Sequence, residues 1–212
     1  MESKRLQRSP RAFSGFIATL AVYVALLLAA YALYPKGFSP IDNTLAQLGD
    51  PILNPLGAIF YDAGVILVCG STLFIAAALL VAPKQWLTSR SKTKRRRIFY
   101  VTVSFMLLFA AFYLLSTLLP SSINYDFNQL LTLLFLATLE LFIVFSAVGI
   151  RRLRDHLPWV PPFGFAVAAA NLLLVVASAV FGFPIFGWAI AVLSWSYTAA
   201  YIYEFSAPQP TV

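Results

Sequence analysis

The sequence predicts an all-α, polytopic membrane protein of about six transmembrane helices packed as a bundle. Of its 212 residues, 60% are hydrophobic and only 11% are charged, which is too little polar surface to cover a water-soluble core. Six apolar runs each approach or exceed the roughly 20 residues that a helix needs to cross the hydrocarbon of a bilayer. Basic residues collect in the segments that flank these runs on one side, as membrane topology requires.

The six runs occupy most of the chain, so we expect a single transmembrane domain over residues 1–212. Ser9-Pro10 and Asn54-Pro55 are typical of a helix cap followed by a proline in the first turn, and Pro120 ends the third run. A cleaved signal peptide is the alternative for the first run, but its apolar region exceeds the roughly 7–15 residues of a signal sequence. The predicted spans cover about residues 12–34, 56–82, 98–119, 127–150, 163–181 and 185–205.

The basic residues predict the orientation of the bundle. Of the 15 lysines and arginines, all except Lys36 fall in the N-terminal segment, the loop after the second run or the loop after the fourth. Because positively charged loops stay in the cytoplasm, we expect both termini there and the protein in the cell membrane. The three groups are Lys4, Arg5, Arg8 and Arg11; Lys84, Arg90, Lys92, Lys94, Arg95, Arg96 and Arg97; and Arg151, Arg152 and Arg154.

The net charge of +7 also suggests an anionic partner. The run Lys94, Arg95, Arg96, Arg97 could bind anionic lipid at the membrane surface, but charge that sets topology explains it without any further function. Because the charge flanks the apolar runs, we expect contact with the lipid bilayer and no nucleic-acid surface.

Small residues repeat every seven positions along the second run, and a stripe of this kind lets another helix approach closely. We therefore expect a packing face there, and the sequence is compatible with an oligomer. The stripe consists of Gly57, Gly64, Ser71 and Ala78.

The first outer loop predicts a short amphipathic helix that begins at Ser39-Pro40 and ends at Gly49. Ile41, Leu45 and Leu48 recur at helical spacing and form one apolar stripe. We expect this helix to lie on the outer interface or to cap the bundle.

Polar side chains on the outer side form a candidate site for a lipid headgroup, a cation or a polar solute. Purely structural roles are the alternative: Asp42 could complete a capping box with Ser39, and Asp50 precedes a proline in a turn. Asp62 lies about 9 Å inside the second span by helical rise, where it could face an outer cavity or be solvated at the interface. The cluster consists of Asp42, Asn43, Gln47, Asp50, Asp62, Asn124, Asp126 and Asn128.

Glu140 lies near the middle of the fourth span, where a carboxylate costs about 2.5–3.5 kcal/mol to insert. No Lys, Arg or His occurs inside a predicted span, so we expect Glu140 to be protonated, hydrogen-bonded or hydrated. Asn171, at similar depth in the fifth span, is the natural partner. The pair could be a static clamp between two helices or a protonatable group on a solute or proton path.

The first outer loop and the start of the second span resemble the signature of the domain-of-unknown-function 998 family, small multi-pass membrane proteins of bacteria and archaea. The resemblance implies membrane location and helix number, and it brings no agreed activity. The matching motif is about twenty residues long, and Ala46 stands where serine is common in the family. The matching segments are Asn43-Thr44-Leu45-Ala46-Gln47-Leu48-Gly49, Asn54-Pro55 and Ala58-Ile59-Phe60-Tyr61-Asp62-Ala63-Gly64.

The sequence favours a non-catalytic membrane factor that interacts with lipid or protein. A transporter or channel for a small solute, cation or proton, using Glu140, is the alternative, and a hydrolase using the outer acids is a weaker one. With one histidine, His156, and one cysteine, Cys69, we predict no catalytic residue, metal site or cofactor.

Overall fold

The computed structural model describes residues 10–35, 37–81, 92–120, 122–152 and 156–206. Lys36, Lys84, Arg90, Arg154 and the basic residues before Pro10 lie outside this part of the chain, as do the side chains of residues 10, 11, 81, 92–96 and 206.

Six long helices in the described residues are each apolar and long enough to cross a membrane. Their bounds agree with the predicted spans to within three residues, except at the start of the third. They are α1 (Pro10–Ala32), α2 (Gly57–Val81), α3 (Lys92–Leu118), α4 (Tyr125–Arg151), α5 (Val160–Phe181) and α6 (Ile185–Ser206).

Helix α3 begins at Lys92, six residues before the predicted start at about residue 98. Lys94, Arg95, Arg96 and Arg97 therefore belong to its first turns and not to the preceding loop, and the Arg97 side chain is exposed. Lysine and arginine are good helix formers, so a helix can continue past the apolar run that defines a span.

The helices form a ring in which each packs against the next in the chain and α6 returns to α1. Ring contact between Phe13 and Tyr203 places the start of α1 beside the end of α6, and we call this the terminal end of the bundle. The opposite end, where α1 ends and α2 begins, is the loop end. Buried aromatic side chains from most of the helices fill the centre, with Trp195 packed against Tyr23 and Phe109.

Glycine allows the closest approach of helices at Gly164 of α5. A Cβ atom there would lie 2.9 Å from the Cβ of Ala147 on α4 and 2.6 Å from the ring of Tyr197 on α6. Both distances are shorter than a van der Waals contact, so α4, α5 and α6 meet at this point only because residue 164 has no side chain.

The predicted small-residue stripe on α2 packs against α1 over part of its length. A Cβ atom on Gly64 would meet Tyr23 and Leu26 of α1, whereas Gly57 contacts the side chain of Asn54. Ala78 is exposed in this chain. Packed helices cross at an angle, so a single stripe stays in contact over only a few turns.

The predicted helix from residue 39 to 49 is shorter than expected. Turns occupy residues 40–42, and a 3₁₀ helix covers Leu45–Gly49. Leu48 is buried, but Ile41 is 58% exposed and does not share its face. The side chain of Asn43 accepts a hydrogen bond from the backbone of Ser39, which stabilises a turn in place of the first helical turn.

Candidate functional site

Asn54 joins three elements at the loop end. Its side chain is completely buried, and its Nδ2 donates to the carbonyl oxygens of Ala30, near the end of α1, and Leu48, in the 3₁₀ helix, both at 3.0 Å. Its Oδ1 accepts from the backbone N–H of Gly57 at 3.2 Å, so it also caps α2. The sequence predicted only this last role.

The polar side chains of the first loop are engaged in local structure. Asn43 donates from Nδ2 to Oε1 of Gln47, which also accepts from the backbone N–H of Thr44. Asp50 is buried and accepts from the backbone N–H groups of Ile52 and Leu53. These bonds engage Oε1 of Gln47 and Oδ1 of Asp50 in the local backbone structure of the loop.

The remaining acids and amides at the loop end are not brought together. Asp42 and Asp126 are exposed, and Asn124 caps α4 by accepting from the backbone N–H of Phe127. Asn128 is buried and donates to the carbonyl oxygens of Ser116 and Leu119 at 2.7 Å, which caps the end of α3. Asp42 forms no capping box with Ser39, whose hydroxyl accepts from the backbone of Ile41.

Asp62 lies on α2 beside Gly49 of the 3₁₀ helix. Its Oδ1 is buried and has no hydrogen-bond partner among the described residues, although the side chain as a whole is half-buried. A Cβ atom on Gly49 would lie 3.2 Å from this oxygen.

Glu140 and Asn171 are in contact across α4 and α5. The Nδ2 of Asn171 donates to Oε1 of Glu140 at 2.7 Å and to Oγ of Ser194 on α6 at 3.0 Å. Asn171 is completely buried, and its Oδ1 has no partner in the described part of the chain. A chain of hydrogen bonds therefore runs from α4 through α5 to α6, and Ser194 is the member that sequence reasoning missed.

A cavity of about 470 Å³ lies in the half of the bundle nearer the loop end, and we call it the central cavity. Residues of α3, α4, α5 and α6 form its walls, and Ala46 and Gly49 border it at the loop end. Ser194 borders the cavity nine residues into α6, or about 14 Å from the start of that helix.

The lining of the central cavity is mostly apolar, and none of the described residues that form it is charged. Asn128 is the one member of the predicted polar cluster that borders it. The polar side chains among these described residues carry hydroxyl, amide or indole groups: Thr44, Tyr61, Tyr113, Ser116, Thr117, Asn128, Gln129, Thr132, Ser178, Ser194, Trp195 and Thr198.

Three buried tyrosines from α1, α2 and α3 meet beside the central cavity. The hydroxyl of Tyr113 lies 3.2 Å from that of Tyr23 and 3.3 Å from that of Tyr61. Tyr61 and Tyr113 line the cavity. Their separation along the chain gives no pattern from which this group could have been predicted.

Glu204, like Glu140, carries a carboxyl group inside a predicted span, but it is not among the predicted site residues. It lies near the end of α6 and is only 2% exposed, and its Oε2 accepts from the backbone N–H of Leu157 at 3.0 Å. It thereby holds the segment between α4 and α5 against α6 at the terminal end.

Among the described residues, no group of three His, Cys, Asp or Glu side chains is arranged to hold a metal ion. No protein-family model, curated protein or solved structure matches the chain. The resemblance to the domain-of-unknown-function 998 family therefore stays a prediction.

Proposed function

We propose that this multi-pass membrane protein is non-catalytic and binds the uncharged part of a lipid-like molecule in the central cavity. The cavity itself carries the proposal. Its volume of about 470 Å³ falls within the roughly 300–1,000 Å³ of small-molecule sites, and a mostly apolar lining with a few polar groups is typical of them.

The surroundings of the cavity favour a ligand that arrives from the bilayer. Gln129 and Leu133 of α4 and Ala179 of α5 border the cavity and are also exposed. Toward the terminal end, α4 and α5 are held together at Gly164 and at the Glu140–Asn171 contact. An entrance between the loop-end halves of α4 and α5 would therefore face lipid acyl chains.

Filling the cavity tests this proposal. Ala191 lines the cavity, whereas its neighbour Val192 is 65% exposed on another face of α6. We expect Ala191→Phe to abolish lipid retained through purification, measured by native mass spectrometry, because the ring occupies the ligand's volume. Val192→Phe adds a ring outside the cavity and should retain lipid like the unchanged protein. Equal retention in both variants would contradict the proposal.

The orientation is part of the proposal. The distribution of basic residues supports two cytoplasmic termini in the cell membrane, so the loop end and the cavity would face outward. Lys94, Arg95, Arg96 and Arg97 would then lie at the cytoplasmic surface, where they could contact anionic lipid. A reporter enzyme fused after Val212 should be active only in the cytoplasm, and external activity would refute this orientation.

Transport of a small solute or proton is a second candidate, because Ser194 connects the cavity to Asn171 and through it to Glu140. The test replaces Cys69 with serine and Glu140 with cysteine and applies impermeant thiol reagents from each side of the membrane. Rapid labelling would support a water-filled path to the carboxyl group. If no labelling occurs, the Glu140–Asn171 hydrogen bond is closed to water and only holds α4 and α5 together, which counts against transport.

A further inference from the structure

We infer that the group entering the central cavity carries an uncharged carbonyl, as an acylglycerol ester or a quinone ring does. This inference rests on the proposed function and specifies the chemistry of its ligand. It follows from hydroxyl hydrogens of the cavity wall that have no acceptor in the described part of the chain.

The three tyrosines leave one hydroxyl hydrogen unused. Tyr23, Tyr61 and Tyr113 have three hydroxyl hydrogens, but only two hydrogen bonds join their oxygens, with Tyr113 in the middle. Whichever way these bonds run, one hydrogen has no acceptor within the trio. Two of the three arrangements place it on Tyr61 or Tyr113, which border the cavity.

Ser194 supplies a second such hydrogen. Most serine and threonine hydroxyl groups in the described helices donate to a backbone carbonyl of the preceding turn, as Ser196 does to Val192 and Thr198 does to Ser194. The Ser194 oxygen instead accepts from Asn171, and its own hydrogen has no protein acceptor among the described residues. Ser194 is buried and borders the cavity, so its hydroxyl can donate to a ligand there.

Buried donors without an acceptor are rare in proteins because leaving such a donor unpaired is costly. A ligand that supplies acceptor oxygens removes this cost. A phosphate or carboxylate also accepts, but the described residues of the cavity wall carry no positive charge to balance it. An uncharged carbonyl satisfies both conditions.

Two matched ligand pairs test the inference by displacement of a fluorescent diacylglycerol from the purified full-length protein. Dioleoylglycerol and its dialkyl ether differ only in the ester carbonyls, and a short-chain ubiquinone and its hydroquinone differ in the ring carbonyls. We expect the carbonyl member of at least one pair to bind about fivefold more tightly, because one net hydrogen bond strengthens binding by about this factor. The pair that shows the difference identifies the source of the carbonyl.

Variants show whether the expected donors cause this preference. Ser194→Ala or the double variant Tyr61→Phe/Tyr113→Phe should reduce it about fivefold, because each removes the spare hydroxyl hydrogen from its part of the cavity wall. Tyr113→Phe alone would leave the Tyr61 hydrogen at the cavity without an acceptor. Ser196→Ala and Tyr125→Phe change exposed residues outside the cavity and should leave it unchanged. The ratio within a pair is insensitive to a general loss of folded protein.

The outcomes separate the inference from the proposed function. If the fluorescent lipid binds and Ala191→Phe prevents it, but neither pair shows a preference, the cavity binds lipid and the carbonyl inference is wrong. A preference that survives both Ser194→Ala and the double variant Tyr61→Phe/Tyr113→Phe also overturns the inference. If the fluorescent lipid does not bind the unchanged protein, the proposed function itself fails.

Discussion

Replacement of Asn54 by alanine should destabilise the protein far more than loss of an ordinary helix cap. The change removes the cap of α2, worth about 1 kcal/mol, and the two bonds from Nδ2 to Ala30 and Leu48, each worth about 1 kcal/mol net. The expected loss is about 3 kcal/mol. Asn124→Ala is a matched control, since Asn124 is an exposed asparagine that makes one capping bond, and it should cost about 1 kcal/mol or less.

The assay is reversible unfolding by sodium dodecyl sulfate in mixed micelles, followed by far-ultraviolet circular dichroism. The free energy of unfolding of Asn54→Ala should fall about 2 kcal/mol below that of Asn124→Ala. Similar values for the two variants would mean that Asn54 does not bind α1, the 3₁₀ helix and α2 together, and the reasoning from its three hydrogen bonds would be refuted.

Four further variants can be measured in the same unfolding assay. Gly164→Ala should cost about 1–3 kcal/mol, because its methyl group would overlap α4 and the ring of Tyr197; Gly70→Ala, with nothing within 4 Å of its added atom, should cost nothing. A loss of the same size at both positions would argue against close packing at Gly164. Glu140→Gln keeps an acceptor for Asn171 and should be neutral, whereas Glu140→Leu should lose about 0.6 kcal/mol. An unchanged Glu140→Leu variant would show that this hydrogen bond contributes no stability.

Hydrophobicity predicts the six helices well because the bilayer thickness sets the length of each apolar run. It does not predict where a helix stops outside the hydrocarbon. This is why α3 begins at Lys92, and why the first loop forms a 3₁₀ helix where apolar periodicity indicated a longer one. Local side-chain hydrogen bonds, such as those of Asn43 and Asn54, decide the loop structure.

The site is less predictable than the fold. The depth of Glu140 and Asn171 in neighbouring spans indicated their pairing, because each needs a polar partner inside the membrane. Ser194 and Tyr113 carry no comparable signal, since serine and tyrosine are common in such helices. The cavity forms where side chains of α3, α4, α5 and α6 come together, an arrangement that no sequence period encodes.

Fluorescence quenching of Trp195 tests the central claim most directly, because Trp195 lines the cavity and is only 9% exposed. The fluorescence of Trp195 is obtained as the difference between the unchanged protein and Trp195→Phe. Both proteins are titrated with a diacylglycerol that carries bromine along its acyl chains. Lipid binding in the cavity predicts saturable quenching at a low mole fraction of brominated lipid, and loss of that quenching in Ala191→Phe. Quenching of Trp195 that rises only in proportion to the brominated lipid, or that persists in Ala191→Phe, would contradict a lipid site in this cavity.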